Sequence, residues 1–294
     1  MRKQNKATAV TIGNFDGLHK GHLALINKVC ALKEKEDLLS VVFTFSINTK
    51  LSKNLIYPQK QLKEYLKDFN IDIFFSPDFL KDIKALSCEE FIKKYLFETL
   101  NAKYVVVGED FFFGKQKSGD ANTLKEICKK YGIKTIIIKS KTKNNIVLSS
   151  TYIRELIKDG KVFQANKLMY RNFSFWGTVK KGYHLGTSEM KIPTANIKIP
   201  KDCAEMKNGV YITKTTIDGV VYNSITNIGT NPTAPKKEIT CETNIFDFDG
   251  NIYMKRIKVE FLKYIRNEAY FKTTMSLKKQ IEKDILKAKK FFGV

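Results

Sequence analysis

The stretch Thr11-Ile12-Gly13-Asn14-Phe15-Asp16-Gly17-Leu18-His19-Lys20-Gly21-His22-Leu23 decides the fold of the first half of this 294-residue chain. It follows an apolar run, residues 7–12, that predicts a β-strand, and it precedes an amphipathic run, residues 23–32, that predicts a helix. Glycines let a backbone approach a phosphate closely, and a helix N-terminus offers unpaired N–H groups to an anion. Two of the three histidines lie here. If the turn continues into the helix, both imidazoles face the same anion.

Strand-like and helix-like segments alternate through the rest of this half. Short apolar runs at residues 40–45, 71–75, 104–107 and 133–138 are typical of strands buried on both faces. Residues 59–68, 87–99 and 152–158 predict helices, the second opening with the capping pattern Ser-Cys-Glu-Glu. We therefore expect a doubly wound α/β domain with a parallel sheet, which binds ligands beyond the carboxyl ends of its strands.

The pattern changes after residue 172. Five β-type runs follow at residues 173–180, 210–217, 220–227, 240–248 and 252–262, without helices between them. Asp218-Gly219 and Asp249-Gly250 are hairpin signals. About six strands in this order predict a small antiparallel β-barrel, and residues 276–291 predict a C-terminal amphipathic helix. The expected domains are residues 1–168 and 172–294.

Composition limits the function classes. The net charge of +22 invites a nucleic-acid role. However, only five of the basic residues are arginines, and the lysines are spread along the chain, so we expect no dedicated nucleic-acid partner. No apolar run approaches the ~20 residues that span a bilayer. Five scattered cysteines and a charged N-terminus favour a cytoplasmic protein with reduced thiols.

Two further motifs follow predicted strands of the first domain. Gly-Glu-Asp-Phe-Phe-Phe-Gly-Lys, residues 108–115, places aromatic rings in a turn, either as packed core or as a surface that stacks on a flat ligand. Leu-Ser-Ser-Thr-Tyr-Ile-Arg, residues 148–154, puts hydroxyls at a helix start, where they act most often as caps. Arg154 in a first helical turn opposes the helix dipole unless an anion lies between them.

Together these motifs resemble the nucleotidylyltransferase superfamily, which is Rossmann-like, and within it the bacterial FAD synthetases. The resemblance implies that His19 and His22 stabilise the charge that develops at the α-phosphate of ATP. It also implies a larger set of binding residues. For the nucleotide these are Gly13, Asn14, Phe15, Asp16, Gly17, Gly21, Ser150, Thr151 and Arg154; for the flavin they are Asp110, Phe111 and Gly114.

The second domain resembles the riboflavin kinases. Ile-Pro-Thr-Ala-Asn-Ile, residues 192–197, offers two neutral oxygen donors, which suit a Mg²⁺ held mainly by substrate phosphates. The resemblance assigns the metal to Thr194 and Asn196, nucleotide contacts to Gly182 and Gly186, flavin contact to Arg266, and the general base to Glu242. From alternation alone, Glu242 is equally a solvated strand residue.

Two segments depart from these families. Gly186 is followed by threonine, and Lys191 and Ile192 stand where a second glycine and an aromatic are usual. Phe45 is followed by Ser-Ile-Asn, in place of Asp-Pro-His-Pro. The first departure bears on close approach to ATP phosphates, because a glycine is lost there.

The resemblance covers residues 10–285 and implies a bifunctional transferase. The barrel would phosphorylate riboflavin with MgATP to FMN, and the first domain would join FMN to the adenylyl group of ATP, releasing pyrophosphate. Expected partners are these small molecules, without membrane or dedicated nucleic acid, in a monomer or weak homo-oligomer. Three alternatives stay open: an FAD synthetase whose barrel only binds flavin, an adenylyltransferase for pantetheine or nicotinate substrates, and a non-catalytic flavin- or RNA-binding protein.

Overall fold

The computed structural model describes residues 4–45, 54–139, 142–143, 146–180, 194–230 and 239–294. The chain forms two compact units. Unit 1 comprises Met1–Lys53 and Gln59–Ser150, and unit 2 comprises Asn54–Pro58 and Thr151–Val294. The units part inside a helix that begins at Ser150, whereas a functional boundary near residues 168–172 stays a prediction.

Unit 1 is built around a five-stranded parallel sheet. Its strands are β1 (Thr8–Ile12), β2 (Leu39–Phe43), β3 (Ile73–Phe75), β4 (Ala102–Gly108) and β5 (Lys134–Ile138), in the order β3-β2-β1-β4-β5. A two-stranded ribbon, β6 (Thr142–Lys143) and β7 (Ile146–Val147), follows. Every residue of β1 is buried, as a central strand covered on both faces requires. The predicted doubly wound α/β architecture is confirmed.

The helices of unit 1 are α1 (Lys20–Glu36), α2 (Gln59–Leu66), α3 (Cys88–Phe91) and α4 (Ala121–Lys130). α3 continues as a π-helical segment, Ile92–Thr99, so the predicted helix over residues 87–99 exists but changes its winding. The capping pattern is confirmed: the Ser87 side chain accepts from Glu90 N, and Ser87 N donates to the Glu90 carboxylate. Phe91, Tyr95 and Leu96 then pack against Val10 and Phe43 of the sheet.

The two helices of unit 2 that precede its strands are α5 (Ser150–Lys158, whose first residue is the last residue of unit 1) and α6 (Val162–Asn166). Six strands follow: β8 (Ser174–Lys180), β9 (Ala195–Lys198), β10 (Gly209–Ile217), β11 (Val220–Thr230), β12 (Ile239–Ile245) and β13 (Arg256–Arg266). They close into an antiparallel barrel in the order β10-β11-β12-β9-β8-β13. The predicted barrel is therefore confirmed, as is its C-terminal helix, α7 (Thr274–Phe292).

One of the two predicted hairpins forms, and one short strand was not predicted. Asp218-Gly219 forms the predicted hairpin, with positive φ at both residues. Asp249-Gly250 does not, because β12 pairs with β9 and β11, whereas β13 pairs with β8 and β10. β9 was not predicted as a strand, because three of its four residues fall inside a motif chosen for its chemistry. None of the described helices combines the length and apolarity that a membrane crossing requires.

A chain of hydroxyl groups runs through the barrel interior. Thr213 Oγ1 lies 2.8 Å from both Ser224 Oγ and Thr226 Oγ1, and Thr226 Oγ1 lies 2.9 Å from Thr243 Oγ1. Thr215 Oγ1 extends the chain at 2.8 Å from Ser224 Oγ. All five side chains are fully buried. Because hydroxyls are costly to bury alone, their mutual hydrogen bonds stabilise a partly polar core.

Replacing Thr226 by valine tests this chain. The shape is preserved, but Thr213 and Thr243 each lose one hydrogen-bond partner inside the barrel. We expect the free energy of unfolding to fall by about 1–3 kcal/mol, the cost of an unsatisfied buried polar group. Chemical denaturation measures it. The same exchange at exposed Thr178 is the control, and it should change the free energy of unfolding by less than about 0.5 kcal/mol. Equal effects at the two positions contradict a stabilising role of the hydrogen-bonded hydroxyl groups.

Candidate active sites

The loop between β1 and α1 is fixed by its own core residues. Phe15 and Leu18 are fully buried, although both have positive φ values, 52° and 41°. Leu18 N donates to Phe15 O at 3.2 Å, and Gly13 N donates to Phe43 O at 3.0 Å. Gly17, with φ of 80°, supplies the remaining left-handed position. Non-glycine residues in this region are strained, and such strain tends to persist at ligand sites.

This loop sets His19 at the N-terminus of α1. His19 Nδ1 accepts from His22 N at 3.4 Å, and His19 O accepts from Leu23 N at 3.0 Å. The two imidazole rings stack with centroids 3.6 Å apart and an interplanar angle of 20°. Because Nδ1 of His19 is an acceptor, its neutral ring carries the proton on Nε2. The predicted convergence of both imidazoles at one helix N-terminus is what the structure shows.

Both histidines are held neutral. Burial lowers the pKa of His19 to about 4. Burial, and then the charge of His19, lower the pKa of His22 well below its usual value. Nδ1 of His22 is inaccessible to solvent and has no hydrogen-bond partner among the described residues. An orphaned ring nitrogen beside a helix N-terminus is a polar group that a ligand would satisfy.

Gly21 is needed beside this pair. A Cβ atom there would lie 3.1 Å from His19 Cε1 and Nδ1, so the imidazole would have to shift by a few tenths of an ångström.

For the adenylyl transfer that the resemblance implies, we expect Gly21→Ala to lower the rate about tenfold, because small misplacements of a catalytic group are costly. The melting temperature should not fall, since alanine is favoured over glycine in a helix by about 1 kcal/mol. Single-turnover kinetics measures the rate, and thermal denaturation measures the melting temperature. Asn27→Ala, at an exposed position of the same helix, is the control. An unchanged rate in the Gly21 variant contradicts the need for close packing.

An open cleft of about 340 Å³ lies at this end of the sheet. Among the predicted residues, its lining includes Gly13, Asn14, His19, Gly21, His22, Asp110, Phe111 and Ser150. Phe111 is half-buried, and its ring stacks on that of Phe113 with centroids 5.6 Å apart. Phe112 is more than half exposed and also lines the cleft. The loop after β4 thus presents aromatic faces to the same space as the histidines.

Other predicted residues of unit 1 support the cleft without lining it. Phe15, Asp16 and Gly17 belong to the buried loop. Gly114, with φ of 76°, turns the chain where a Cβ would lie 2.5 Å from Cys88 Sγ. The predicted nucleotide and flavin contacts of these four residues stay predictions.

The hydroxyl-bearing residues at the start of α5 belong to different compact units: Ser150 belongs to unit 1 and Thr151 to unit 2. Ser150 Oγ donates to Asp16 O at 2.8 Å, which ties the start of α5 to the histidine loop. Thr151 and Arg154 follow in the first turn of α5 but belong to unit 2. Their predicted contact with ATP stays a prediction.

A second constellation lies on the barrel. Glu242 of β12 is directly opposite Asn196 of β9 and Asn227 of β11. Cys241 and Thr243 point into the barrel, so Glu242 lies on its outer face, where it is partly buried. Burial raises the pKa of Glu242, and the nearby charge of Glu268 raises it further. A carboxyl group with a raised pKa accepts a proton more readily, as a general base requires.

Glu268 was missed by the sequence analysis, although it stands two residues after Arg266. Its carboxylate packs over Gly229 of β11, where a Cβ would almost coincide with Glu268 Oε1, and its Oε2 accepts from Asn208 Nδ2 at 3.1 Å. The sequence signal was the string Ile265-Arg266-Asn267-Glu268, from which only Arg266 was selected. A glycine at position 229 lets a second carboxylate reach the outer face that carries Glu242.

Arg266 has another set of contacts. Its Nε and Nη2 atoms contact the buried carboxylate of Asp284 at 2.8 and 2.7 Å, and its Nη1 donates to Asn267 O at 2.9 Å. The guanidinium therefore links β13 to α7. Its predicted flavin contact stays a prediction.

Thr194 and Asn196 provide a set of hard oxygen donors. Asn196 Nδ2 donates to Thr194 O at 3.5 Å, which ties the two residues together. Thr194 also lines a cleft at the barrel together with Phe248, Tyr253 and the Asp249-Gly250 turn. A threonine hydroxyl, an asparagine amide and a nearby carboxylate suit Mg²⁺, so these residues fit the predicted ion. Gly182 and Gly186, and the departing segments at residues 46–48 and 186–192, lie outside the described residues.

The comparisons with known proteins also divide the chain into two parts. The FAD synthetase family model matches residues 1–152, and the riboflavin kinase family model matches residues 169–292. The chain therefore belongs to the family of proteins that join these two domains. A bifunctional riboflavin kinase/FMN adenylyltransferase of Buchnera aphidicola subsp. Schizaphis graminum is 38% identical, over 100% of this chain and 97% of the relative.

More distant relatives span the chain equally well. The bifunctional riboflavin kinase/FMN adenylyltransferase of Escherichia coli K12 is 30% identical, over 97% of this chain and 93% of its own length. A solved structure from Streptococcus pneumoniae, described as a macrolide-efflux protein, superposes with a TM-score of 0.87 at 29% identity, over 96% of this chain and 94% of that one.

Proposed function

We propose that this chain makes FAD from riboflavin in two steps, each in its own unit. Unit 2 phosphorylates riboflavin to FMN, and unit 1 joins FMN to the adenylyl group of a second ATP. The observation that carries the proposal is the stacked, neutral pair His19 and His22 at the N-terminus of α1, in a cleft that also presents Phe111. That pairing of a phosphate site with an aromatic face suits a reaction between a nucleotide and a flavin phosphate.

In the adenylylation step, an oxygen of the FMN phosphate attacks the α-phosphorus of ATP. The bond from that phosphorus to the bridging oxygen of the β-phosphate breaks, and pyrophosphate leaves. Neutral imidazoles serve here as N–H donors: Nε2 of His19 is free to donate, because Nδ1 accepts from the backbone. Together with the N-terminal N–H groups of α1, they stabilise the negative charge that grows on the α-phosphate oxygens.

In the kinase step, Glu242 takes the proton of the terminal ribityl hydroxyl as that oxygen attacks the γ-phosphorus of ATP, and ADP leaves. Asn196, on the neighbouring strand, and Thr194 would hold Mg²⁺. When bound, Mg²⁺ neutralises charge on the ATP phosphates. Phe248 and Tyr253 offer apolar surface beside Thr194 for the nucleoside.

A single incubation tests the proposal. The full chain is mixed with riboflavin, MgATP and inorganic pyrophosphatase, and the flavins are separated by chromatography. FAD supports both steps, FMN alone leaves only the kinase, and unchanged riboflavin contradicts the kinase step. Repeating the incubation with FMN supplied then separates an FAD synthetase with a silent barrel from a protein that only binds flavin.

The proposal also covers the location of the enzyme and its oligomeric state. We place it in the cytoplasm, where its five cysteines, all free thiols in the structure, stay reduced. We further propose that it acts as a monomer or weak homo-oligomer without a nucleic-acid partner. Size-exclusion chromatography with light scattering tests the oligomeric state.

A further inference from the structure

A tight loop follows the aromatic turn of unit 1. Phe113 and Gly119 exchange two backbone hydrogen bonds, of 2.9 and 3.1 Å, so residues 114–118 form a closed loop between them. Within the loop, Lys117 N donates to Gly114 O at 3.0 Å and Ser118 N donates to Lys115 O at 3.2 Å. The loop is thus held in one conformation by its own backbone.

That conformation is strained at two successive residues. Gln116 and Lys117 have φ values of 57° and 59°, in the left-handed region that glycine occupies without penalty. Each non-glycine residue there costs free energy, because its Cβ approaches the following carbonyl oxygen. Despite this cost the chain places a lysine at position 117, and Lys117 lines the cleft shared by His19, His22 and Phe111. Strain that brings a charged side chain to a ligand cleft points to a role in binding.

The charges around the cleft indicate what Lys117 binds. Both imidazoles are neutral, because burial lowers the pKa of each. Among the described residues that line the cleft, Lys117 and Lys139 are the cationic side chains, and Asp110 is the carboxylate. A doubly charged phosphate monoester entering this cleft therefore depends on lysines for charge compensation.

We propose that Lys117 binds the phosphate group of FMN and so selects the phosphorylated flavin over unphosphorylated flavins. Lys117 and Phe111 come from the same segment, so one loop presents a face for the flavin ring and a cation for its phosphate. The inference rests on the proposed adenylylation by unit 1. A lysine contributes a point charge, which suits a phosphate whose oxygens must still turn toward the α-phosphorus.

The test compares FMN with a flavin that carries no phosphate. In the full chain, Lys117→Gln should raise the KM for FMN about tenfold or more, while the KM for ATP stays within about twofold. 5′-Deoxyriboflavin lacks the hydroxyl that a kinase would phosphorylate, so it serves as a competitive inhibitor at the FMN site. Its inhibition constant should change less than about twofold. Lys117→Arg should restore most of the affinity, because the charge is retained.

Lys115→Gln removes a charge from the same loop at an exposed residue outside the cleft lining, and it should leave all three constants unchanged. An equal rise in the constants for FMN and 5′-deoxyriboflavin means that the loop itself is disturbed, and this overturns the inference. A rise in the KM for ATP alone, or no change in any of the three constants, also overturns the inference. If the unaltered chain makes no FAD from FMN, the proposed function fails first, which separates the two failures.

Discussion

Replacing His22 by alanine removes FAD formation while FMN formation from riboflavin continues at its normal rate. The loss should be about 10²–10³-fold in kcat, equivalent to about 2.7–4 kcal/mol, which is typical when one donor to a developing oxyanion is removed. The kinase step is unaffected because its proposed residues Glu242, Thr194 and Asn196 belong to unit 2.

The His22→Ala variant should still fold. The cap of α1 uses the backbone N–H of His22, not its side chain, so the helix start is retained. What is lost is the ring stack with His19 and the contact with Phe15, whose centroid lies 5.2 Å away. Adenylylation of supplied FMN and phosphorylation of riboflavin are measured separately by chromatography. Lys28→Ala, exposed on the same helix, is the control. Loss of both activities in a folded variant contradicts the model with two independent sites.

Replacing Glu242 by glutamine should have the opposite outcome. The kinase rate falls about 10²–10⁴-fold, the usual contribution of a positioned general base, whereas adenylylation of supplied FMN is kept. Glutamine preserves the shape and the strand pairing with Asn196 and Asn227, so the barrel should be retained.

The matched control for that variant is Glu260→Gln. Glu260 is also a partly buried glutamate on a barrel strand. Its Oε1 lies 3.3 Å from Lys258 Nζ, and its strand, β13, is not a neighbour of β12, which carries Glu242. Both variants are assayed for conversion of riboflavin to FMN with MgATP. If Glu242→Gln keeps the normal kinase rate, Glu242 is not the base. If Glu260→Gln loses activity equally, the effect comes from the barrel and not from one carboxylate.

Most of the architecture could be predicted because it depends on local patterns. The strand before residue 13 and the helix after it follow from hydrophobic periodicity, and the Ser87 cap follows from four residues of sequence. Strand pairing in the barrel depends on distant partners. Asp249-Gly250 carries a hairpin signal, yet the strands beside it pair elsewhere, because barrel closure determines their neighbours.

Some site residues could likewise be predicted from local sequence, and others could not. His19 and His22 could be placed from their spacing, since residues three apart lie on one side of a helix start. Glu268 could not, because its carboxylate packs over a glycine of another strand, Gly229, and only this packing brings its charge near Glu242. Lys117 was overlooked for a different reason: its position depends on left-handed φ values, which residues of its type seldom adopt.

The neutral histidine pair keeps the charge of the nucleotide site constant near neutral pH. Burial lowers the pKa of His19 to about 4, and the pKa of His22 also lies well below its usual value, so neither ring gains a proton when the solution becomes mildly acidic. The two rings therefore offer a phosphate the same N–H donors throughout that range. Two stacked rings beside a helix N-terminus thereby separate the hydrogen-bond donors of the site from the acidity of the solution, without any change in the fold.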